Sequence, residues 1–492
     1  MRSLCAAAAL VTALAAAGCG GGGGGGGSVP DGAGIAPASS IAFISVSTDF
    51  SSDQWKQVTR LADRFPGKAL LIAEFKKQTK GLDFEHDVKP ALGPEVDLVW
   101  LDARNNGNDV VGLTKPETKA KLDTLLEKSR SNGESKAVTA QVGDWVAIAD
   151  SRAKLDRFKT ASAGDKLAGN KDFKHAFEQL DSDSSIRAWV SGEFVQSELD
   201  RGLATGGAPP RLSHDLGDLH SISAAAKAEK NGASVELDGV IDPTPDPATF
   251  SPSLPDDVPG GALLYVSTTR LDSQVRTIIR LVGQSVPNFE TQLSQVEGVL
   301  GLSLENDIYP LLKGEDAVAV YPGTGPIPRV LFVQKVDDEK KASSLLRRFS
   351  AIAQLGGNIQ AETVQLGGES VQKLTFPGPP TVTIYDGAAK GKLFVTNEQN
   401  LAEQTIEGPA DSLADDPLYK NARDAAGMPG KVAAFAFGDQ ENGLPYILRL
   451  AQQSGNLVPP AAFANVKPLH ATVVYLVKDG DALRISGFQT IK

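Results

Sequence analysis

Cysteine is nearly absent from this chain of 492 residues. Cys5 and Cys19 are the only two, and both lie within the first twenty positions. The folded body therefore has no disulfide, no thiolate metal ligand and no cysteine nucleophile. Its stability rests on its core. Histidine is scarce, with five in the chain, and neither His-x-x-x-His nor His-Glu-x-x-His occurs. No Gly-x-Ser-x-Gly elbow occurs either. The longest charge-free apolar stretch, Leu4 to Ala17, falls short of the ~20 residues that span a bilayer. Positive charge is in deficit, with a formal net charge of −11. That argues against nucleic acid and against broad attraction to anionic lipid.

The N-terminus carries an address. Arg2 precedes the apolar stretch, and Ala16, Ala17 and Gly18 are the small residues before Cys19. This is a secretory signal peptide over residues 1–18, and a Cys directly after it resembles the lipobox of bacterial lipoproteins. The resemblance implies cleavage before Cys19 and acylation of Cys19, at about 0.8 kcal/mol of membrane affinity per buried methylene. Residues 19–39, opening with Gly20 to Gly27, read as a flexible tether. The glycine run matches Gly-x-Gly-x-x-Gly trivially, with no strand before it and no helix after it, so no nucleotide site is read there.

The body is an internal duplication. At an offset of 220, Ala42, Val46, Gln54 and Arg60 meet Ala262, Val266, Gln274 and Arg280. Gly81-Leu82, Glu85, Asp87, Pro90 and Glu95 meet Gly301-Leu302, Glu305, Asp307, Pro310 and Glu315. The second copy gains about 26 residues near Pro377 to Lys390. Beyond that, His220 meets His470 and Gly239 meets Gly487. Prolines from Pro243 to Pro259 cannot join a helix or a central strand. They mark residues 244–259 as a linker between repeat domains at 40–243 and 260–492. Each copy mixes apolar strands with amphipathic helices and closes in a hairpin, at Asn231-Gly232 and at Asp479-Gly480. The expected fold is α+β: two tandem homologous domains, each a mostly antiparallel sheet with helices packed on it.

The paired signature Gly-Leu-x-apolar-Glu-x-Asp-apolar-x-Pro-x-Leu, with Asp316 to Gly323 and Pro328 to Asp338, resembles the bacterial domain-of-unknown-function family 3352. That resemblance implies an exported, envelope-associated protein. It brings no catalytic residues with it.

Candidate sites reduce to structural readings. His220 and His470 are the one histidine pair kept in both copies. No nucleophile or ligand set stands beside them in sequence. Glu85/Asp87 and Glu305/Asp307 fit capping or pairing with Lys89 better than cation binding, because residues two apart on a helix do not share a face. Asp181-Ser182-Asp183 starts like a calcium loop, but Ile186 stands where the turn needs glycine. Ser151-Arg152-Ala153-Lys154 matches Ser-x-x-Lys without its Lys-Thr-Gly partner and reads as a helix start, with Asp150 as its cap. Trp55, Trp100, Trp145 and Trp189, all in the first copy, read as core. No catalytic residue, metal or cofactor is expected, and no enzyme.

The expectation is an extracytoplasmic lipoprotein, held to the cell membrane through lipid on Cys19. Its role is binding or scaffolding in the cell envelope, toward an unknown envelope protein or ligand and not nucleic acid. The alternative is a carrier or binding protein for a small or lipidic ligand. A large apolar cavity within one copy would favour the carrier. A filled core with an exposed patch would favour the scaffold.

Overall fold

The computed structural model describes residues 28–78, 82–103, 107–131, 137–205, 217–286, 288–325, 327–355 and 359–492. Cys19, the leader and the glycine run lie outside the described residues.

The first half runs β1 (Ala42–Ser47), α1 (Asp53–Ala62), α2 (Lys68–Gln78), β2 (Glu95–Trp100), β3 (Val110–Thr114), α3 (Lys119–Ser131), β4 (Val138–Val142), β5 (Trp145–Ala149), α4 (Arg152–Ala161), α5 (Lys171–Gln179), β6 (Ile186–Ser191), α6 (Gly192–Thr205), β7 (Asp218–Glu229) and β8 (Gly232–Asp242). The second half repeats that order. It runs β9 (Leu264–Thr269), α7 (Leu271–Ser285), α8 (Phe289–Leu300), β10 (Glu315–Tyr321), β11 (Arg329–Lys335), α9 (Glu339–Leu355), β12 (Gln360–Leu366), β13 (Glu369–Phe376), β14 (Val382–Ala389), β15 (Lys392–Thr396), α10 (Gln399–Glu407), α11 (Pro417–Ala425), β16 (Ala434–Asp439), α12 (Gln440–Gln453), α13 (Pro460–Val466), β17 (Leu469–Asp479) and β18 (Ala482–Ile491). The extra residues of the second copy add two strands to the sheet. The fold is α+β, as expected.

All strand pairs are antiparallel. The first half orders its strands β4-β5-β3-β2-β1-β6-β7-β8. The second orders them β18-β17-β16-β9-β10-β11-β15-β14-β13-β12. The two series meet where β8 pairs with β18 from Gly232↔Thr490 to Val240↔Ala482. One sheet therefore runs through both halves, which are not separate bodies on a linker. Leu237 lies opposite Ile485, its own counterpart at the 248-residue offset that matches Gly239 to Gly487. The junction is a pseudo-twofold axis, built within one chain as an isologous dimer interface is built between two.

The tether and linker boundaries are corrected as well. Residues 28–39 do not continue a free tether. Ala33 and Ala36 are fully buried, and Val29 and Ile35 pack beside them. The Gly32 N–H donates to Glu95 Oε1 at 3.0 Å. A Cβ at Gly32 would stand 1.7 Å from Asp97 Oδ2, so a larger residue would have to displace that buried carboxylate. The end of the Pro-rich stretch does the same in the second half. Leu254 and Val258 are buried, and the Ser253 and Leu254 N–H groups donate to the Glu315 carboxylate. Apolar residues scattered in a Gly/Pro-rich run bury themselves when a carboxylate accepts the backbone donors that would otherwise be stranded.

Both hairpins form where expected. The register puts Lys230-Asn231 and Gly480-Asp481 in the loops, one residue earlier and later, respectively, than the dipeptides read from sequence. Ser151, not Asp150, takes the cap position of α4.

Candidate binding face

Strand residues alternate between two faces, and the two faces of this sheet differ sharply. One face is filled. In the first half Phe43, Val99, Leu113, Trp145 and Trp189 meet Leu155, Phe158, Phe173 and Phe177 from α4 and α5. Phe43 and Phe173 stand edge to face at 5.4 Å. In the second half Tyr265, Phe435 and Phe437 meet Tyr419 from α11, with Tyr419 and Phe437 edge to face at 5.3 Å. Such pairs add about 0.5–1.5 kcal/mol beyond their area burial.

The opposite face is apolar and open. Five large apolar strand residues there keep more than a third of their surface exposed: Leu264 43%, Val266 40%, Leu237 39%, Ile485 39% and Val318 37%. Register puts them on one surface, because Val318 lies opposite Val266 and Leu237 opposite Ile485. Half-buried Ala436, Val474 and Leu476 continue it between them. The path from β10 through β9, β16, β17 and β18 to β8 crosses five inter-strand spacings, about 24 Å. The open positions of those strands carry one acid, Asp316, at the margin.

The two halves treat this face differently. In the first, α1 lies on it. Leu61 packs with Ala228 and Ile491, and Val58, Phe65 and Leu469 close around them. The Ala228 N–H donates to Gln54 Oε1 at 3.0 Å, and Arg64 donates to the carbonyls of Ile491 and Lys230. Val46 in β1 is only 5% exposed. In the second half Gln274, the counterpart of Gln54, reaches no further than Thr268 Oγ1 and the Thr269 carbonyl. Asp272 is the one buried residue of α7 among those described, and Ile278 and Val282 on its apolar stripe are exposed. On α8, Val296 and Val299 are exposed too. α12 borders the strand ends where β9 begins and β10 finishes. There the Gly323 N–H donates to the Tyr446 hydroxyl at 3.0 Å, and Gly443 approaches Leu263.

A family model matches residues 119–463. The chain belongs to that family, described as "Protein of unknown function (DUF3352)". The match spans parts of both halves and includes the second copy of the paired signature. No curated protein is detectably similar. Among solved structures, crystal form IV of TP0453 aligns at 9% identity and a TM-score of 0.26, over 51% of this chain and 94% of that one. Crystal form III aligns at 8% identity and 0.24, over 51% and 95%.

The sequence-read candidates do not converge on one site. Cys19 and His214 lie outside the described residues. His86 is exposed beside Asp83. His175 Nε2 lies 3.0 Å from Asp481, tying α5 to the far hairpin. His220 Nδ1 is 3.7 Å from Asp172. His470 Nδ1 is 2.7 Å from Glu441, at an angle that makes no hydrogen bond. Glu85 pairs with Lys89 at 3.2 Å, and Asp87 and Asp307 accept the N–H groups of Asp83 and Ser303. Lys154 is committed to Asp150 and the Asn108 carbonyl. Asp181 accepts from Asp183 N–H and Lys227. Trp55, Trp145 and Trp189 are buried, and Trp100 is half-buried on the open-face side. No group of three or more His, Cys, Asp or Glu residues that could hold a metal occurs among the described residues.

Two features escaped the sequence reading. The open face is one. The other is a buried polar row in the first half, where Asp97 and Arg187 both lie opposite Ser45. Burial, reinforced by Glu95, raises the Asp97 carboxyl well above its ordinary range. Burial lowers the Arg187 guanidinium, against the pull of Glu95 and Asp97. In the second half the same row, by register, is Ser267 with Ala317 and Phe435 opposite it.

Proposed function

We propose that this protein is a membrane-anchored, extracytoplasmic binding protein whose ligand is apolar, of the lipid class, and lies on the open sheet face. The observation that carries the reading is the run of exposed apolar side chains from Val318 to Leu237. Contiguous apolar surface of this kind marks interaction sites, and burial on a ligand returns about 25 cal/mol per Å². The central strands have both edges paired, so no strand-adding partner is invited. A ligand without hydrogen-bonding groups fits a floor that offers almost none. An exposed patch over a filled core is the condition set above for a scaffold, so a protein partner on the same face is the second reading. The leader and Cys19 would place the protein at a source of lipid.

The test is native mass spectrometry of the chain purified from its own host. A reproducible added mass of lipid size that leaves on denaturation supports the reading. A clean apo mass, together with no uptake of lipid from vesicles, overturns it in favour of a protein partner.

A further inference from the structure

Resting on the membrane anchor in that reading, we infer that the α7–α8 hairpin is a membrane-contact element, whose apolar stripe seats in the interface of an anionic bilayer. Its counterpart α1 is docked on the sheet. Leu61 packs on Ala228 and Ile491, with Phe65 beside them, and Arg64 donates to the carbonyls of Ile491 and Lys230. At the 220-residue offset Arg64 and Phe65 become Gln284 and Ser285. At the offset that pairs His220 with His470, Ala228 becomes Lys478. The residues that dock α1 are thus lost from the second copy, but the apolar stripe is kept. Ile278, Val282 and Val286 recur every four residues, on one helical face, and all three are exposed. On α8, Val296 is exposed and Val299 is 87% exposed. Asp272 is the one buried residue of α7 among those described, and α8 has none.

The hairpin is fastened at its base, on the open side of the sheet. The Asp272 N–H donates to the Leu312 carbonyl at 3.0 Å, and the Arg276 guanidinium lies 3.9 Å over the Tyr309 ring. Leu300 packs with Leu302, Leu311 and Leu393. Leu393 alternates away from the filled core, which takes its neighbour Phe394. Charge, length and position agree on a bilayer as the occupant. Arg276 and Arg280 on α7 and Arg347 and Arg348 on α9 are exposed, in a chain whose net charge is −11. The acids of α7 and α8 are fewer. Asp272 is paired with Arg270, and α8 carries Glu290 and Glu297. Anionic headgroups complement such a cationic rim. α7 has 15 residues, about 22 Å. It is too short and too charged to cross a bilayer, so it lies in the plane of the interface. The helices of the filled face, α4, α5, α10 and α11, expose no large apolar side chain among the described residues. Nine peptide steps join Cys19 to Ser28 and reach about 30 Å at full extension, so an acylated Cys19 keeps the body against the surface.

The experiment uses the absence of cysteine from the folded body. Val299→Cys on α8 and, as control, Leu199→Cys on the exposed surface of α6 are labelled with a nitrobenzoxadiazole fluorophore in the mature protein purified from its own host. Each is reconstituted into phosphatidylglycerol vesicles that contain a doxyl-labelled phospholipid. Quenching of the V299C label is expected to exceed that of the L199C label at least fivefold. Adding Ile278→Glu and Val282→Glu to V299C is expected to remove the excess. All these sites are exposed, and melting curves verify that each variant folds. Equal quenching of the two labels overturns the membrane contact, and so does quenching of V299C that survives both Glu substitutions. Crosslinking of V299C to a second chain in place of quenching overturns it in favour of self-association. These outcomes leave the ligand on the sheet face standing, because native mass spectrometry tests it separately. Label taken up by the parent, which has no engineered cysteine, would mean that Cys5 or Cys19 is free, and overturns the anchor together with the inference that rests on it.

Discussion

The same 220-residue offset leads to two different interiors. In the first half the row Ser45, Asp97 and Arg187 puts charge and a hydroxyl inside the sheet. In the second, the row is Ser267, Ala317 and Phe435, which keeps the hydroxyl and replaces both charges with apolar side chains. On the opposite face α1 covers Ala228, Ile491 and Leu469, whereas Leu264, Val266 and Val318 of the second half are left open. Duplication copied the backbone pairing, which backbone hydrogen bonds enforce. It did not copy the side-chain layer, which is free to drift as long as each half buries enough. The lesson is that the filled face carries stability and the open face is available for binding.

The largest effect should come from breaking the filled face in either half. Phe43→Ala and Phe437→Ala both remove a ring with no exposed surface. Each is expected to cost about 3–5 kcal/mol, because a cavity adds to the lost transfer energy. Urea unfolding of both variants sharpens the comparison. One cooperative transition shifted equally by either change means that the continuous sheet melts as a unit. Two transitions, each moved by one variant, would mean that the halves unfold independently despite the β8–β18 pairing.

Next come the buried carboxylates. Asp97 is fully buried with both oxygens unpaired, and burial alone pushes Asp386 in β14 up to about 7. Each folded-state value lies above that of the unfolded chain, so the folded protein holds a proton that the unfolded chain releases from about pH 4 upward. Stability is therefore full below pH 4 and falls as pH rises, at up to about 1.4 kcal/mol per unit for each group. For Asp386 the fall ends near pH 7. Asp386→Asn should match the parent at pH 4 and exceed its melting temperature at pH 8. Asp97→Asn tests the same idea inside the polar row. Melting curves with no pH-dependent difference from the parent would show that these groups have partners or water.

A smaller effect separates the two carboxylates that hold the straps. Glu315 accepts from the Ser253 N–H and hydroxyl, the Leu254 N–H and the Ser267 hydroxyl, whereas Glu95 accepts from the Gly32 N–H. Glu315→Ala is expected to cost about 2–3 kcal/mol and Glu95→Ala about 1 kcal/mol, since charge-assisted hydrogen bonds are individually modest and not additive. Limited proteolysis should cut near Ser253 in the first variant before it cuts near Gly32 in the second. The opposite order would mean that Asp97 and Arg187, not the strap's hydrogen bonds, hold the N-terminal segment.

Much of this architecture was legible in the chain. Residue identities at a constant offset gave the duplication, and strands such as Trp145–Ala149 stand where their apolar run put them. The junction was not legible, because nothing local in Leu237 or Ile485 says that each finds the other. The open face was hidden for a related reason. Leu264-Tyr265-Val266 is apolar in both phases, which reads as a strand buried on both sides. In the fold one phase, Leu264 and Val266, is left uncovered, which no local pattern states. The straps were hidden by composition, since glycine and proline mark a tether until a distant carboxylate binds their N–H groups.

The finest difference is a single oxygen. Tyr265 is fully buried, and its hydroxyl has no partner. The adjacent Ser267 hydroxyl is occupied with the Asp316 carbonyl at 3.0 Å and Glu315 at 3.3 Å. Burial raises the Tyr265 phenol far above its ordinary range, so it stays neutral. An unpaired buried hydroxyl costs on the order of 1 kcal/mol or more. Tyr265→Phe keeps the ring on Phe435, 5.4 Å away, and removes that cost. It should leave the melting temperature unchanged or raise it slightly. A loss above about 1 kcal/mol would mean that the hydroxyl is hydrogen-bonded after all, and that the second half hides a polar row of its own behind its aromatic surface.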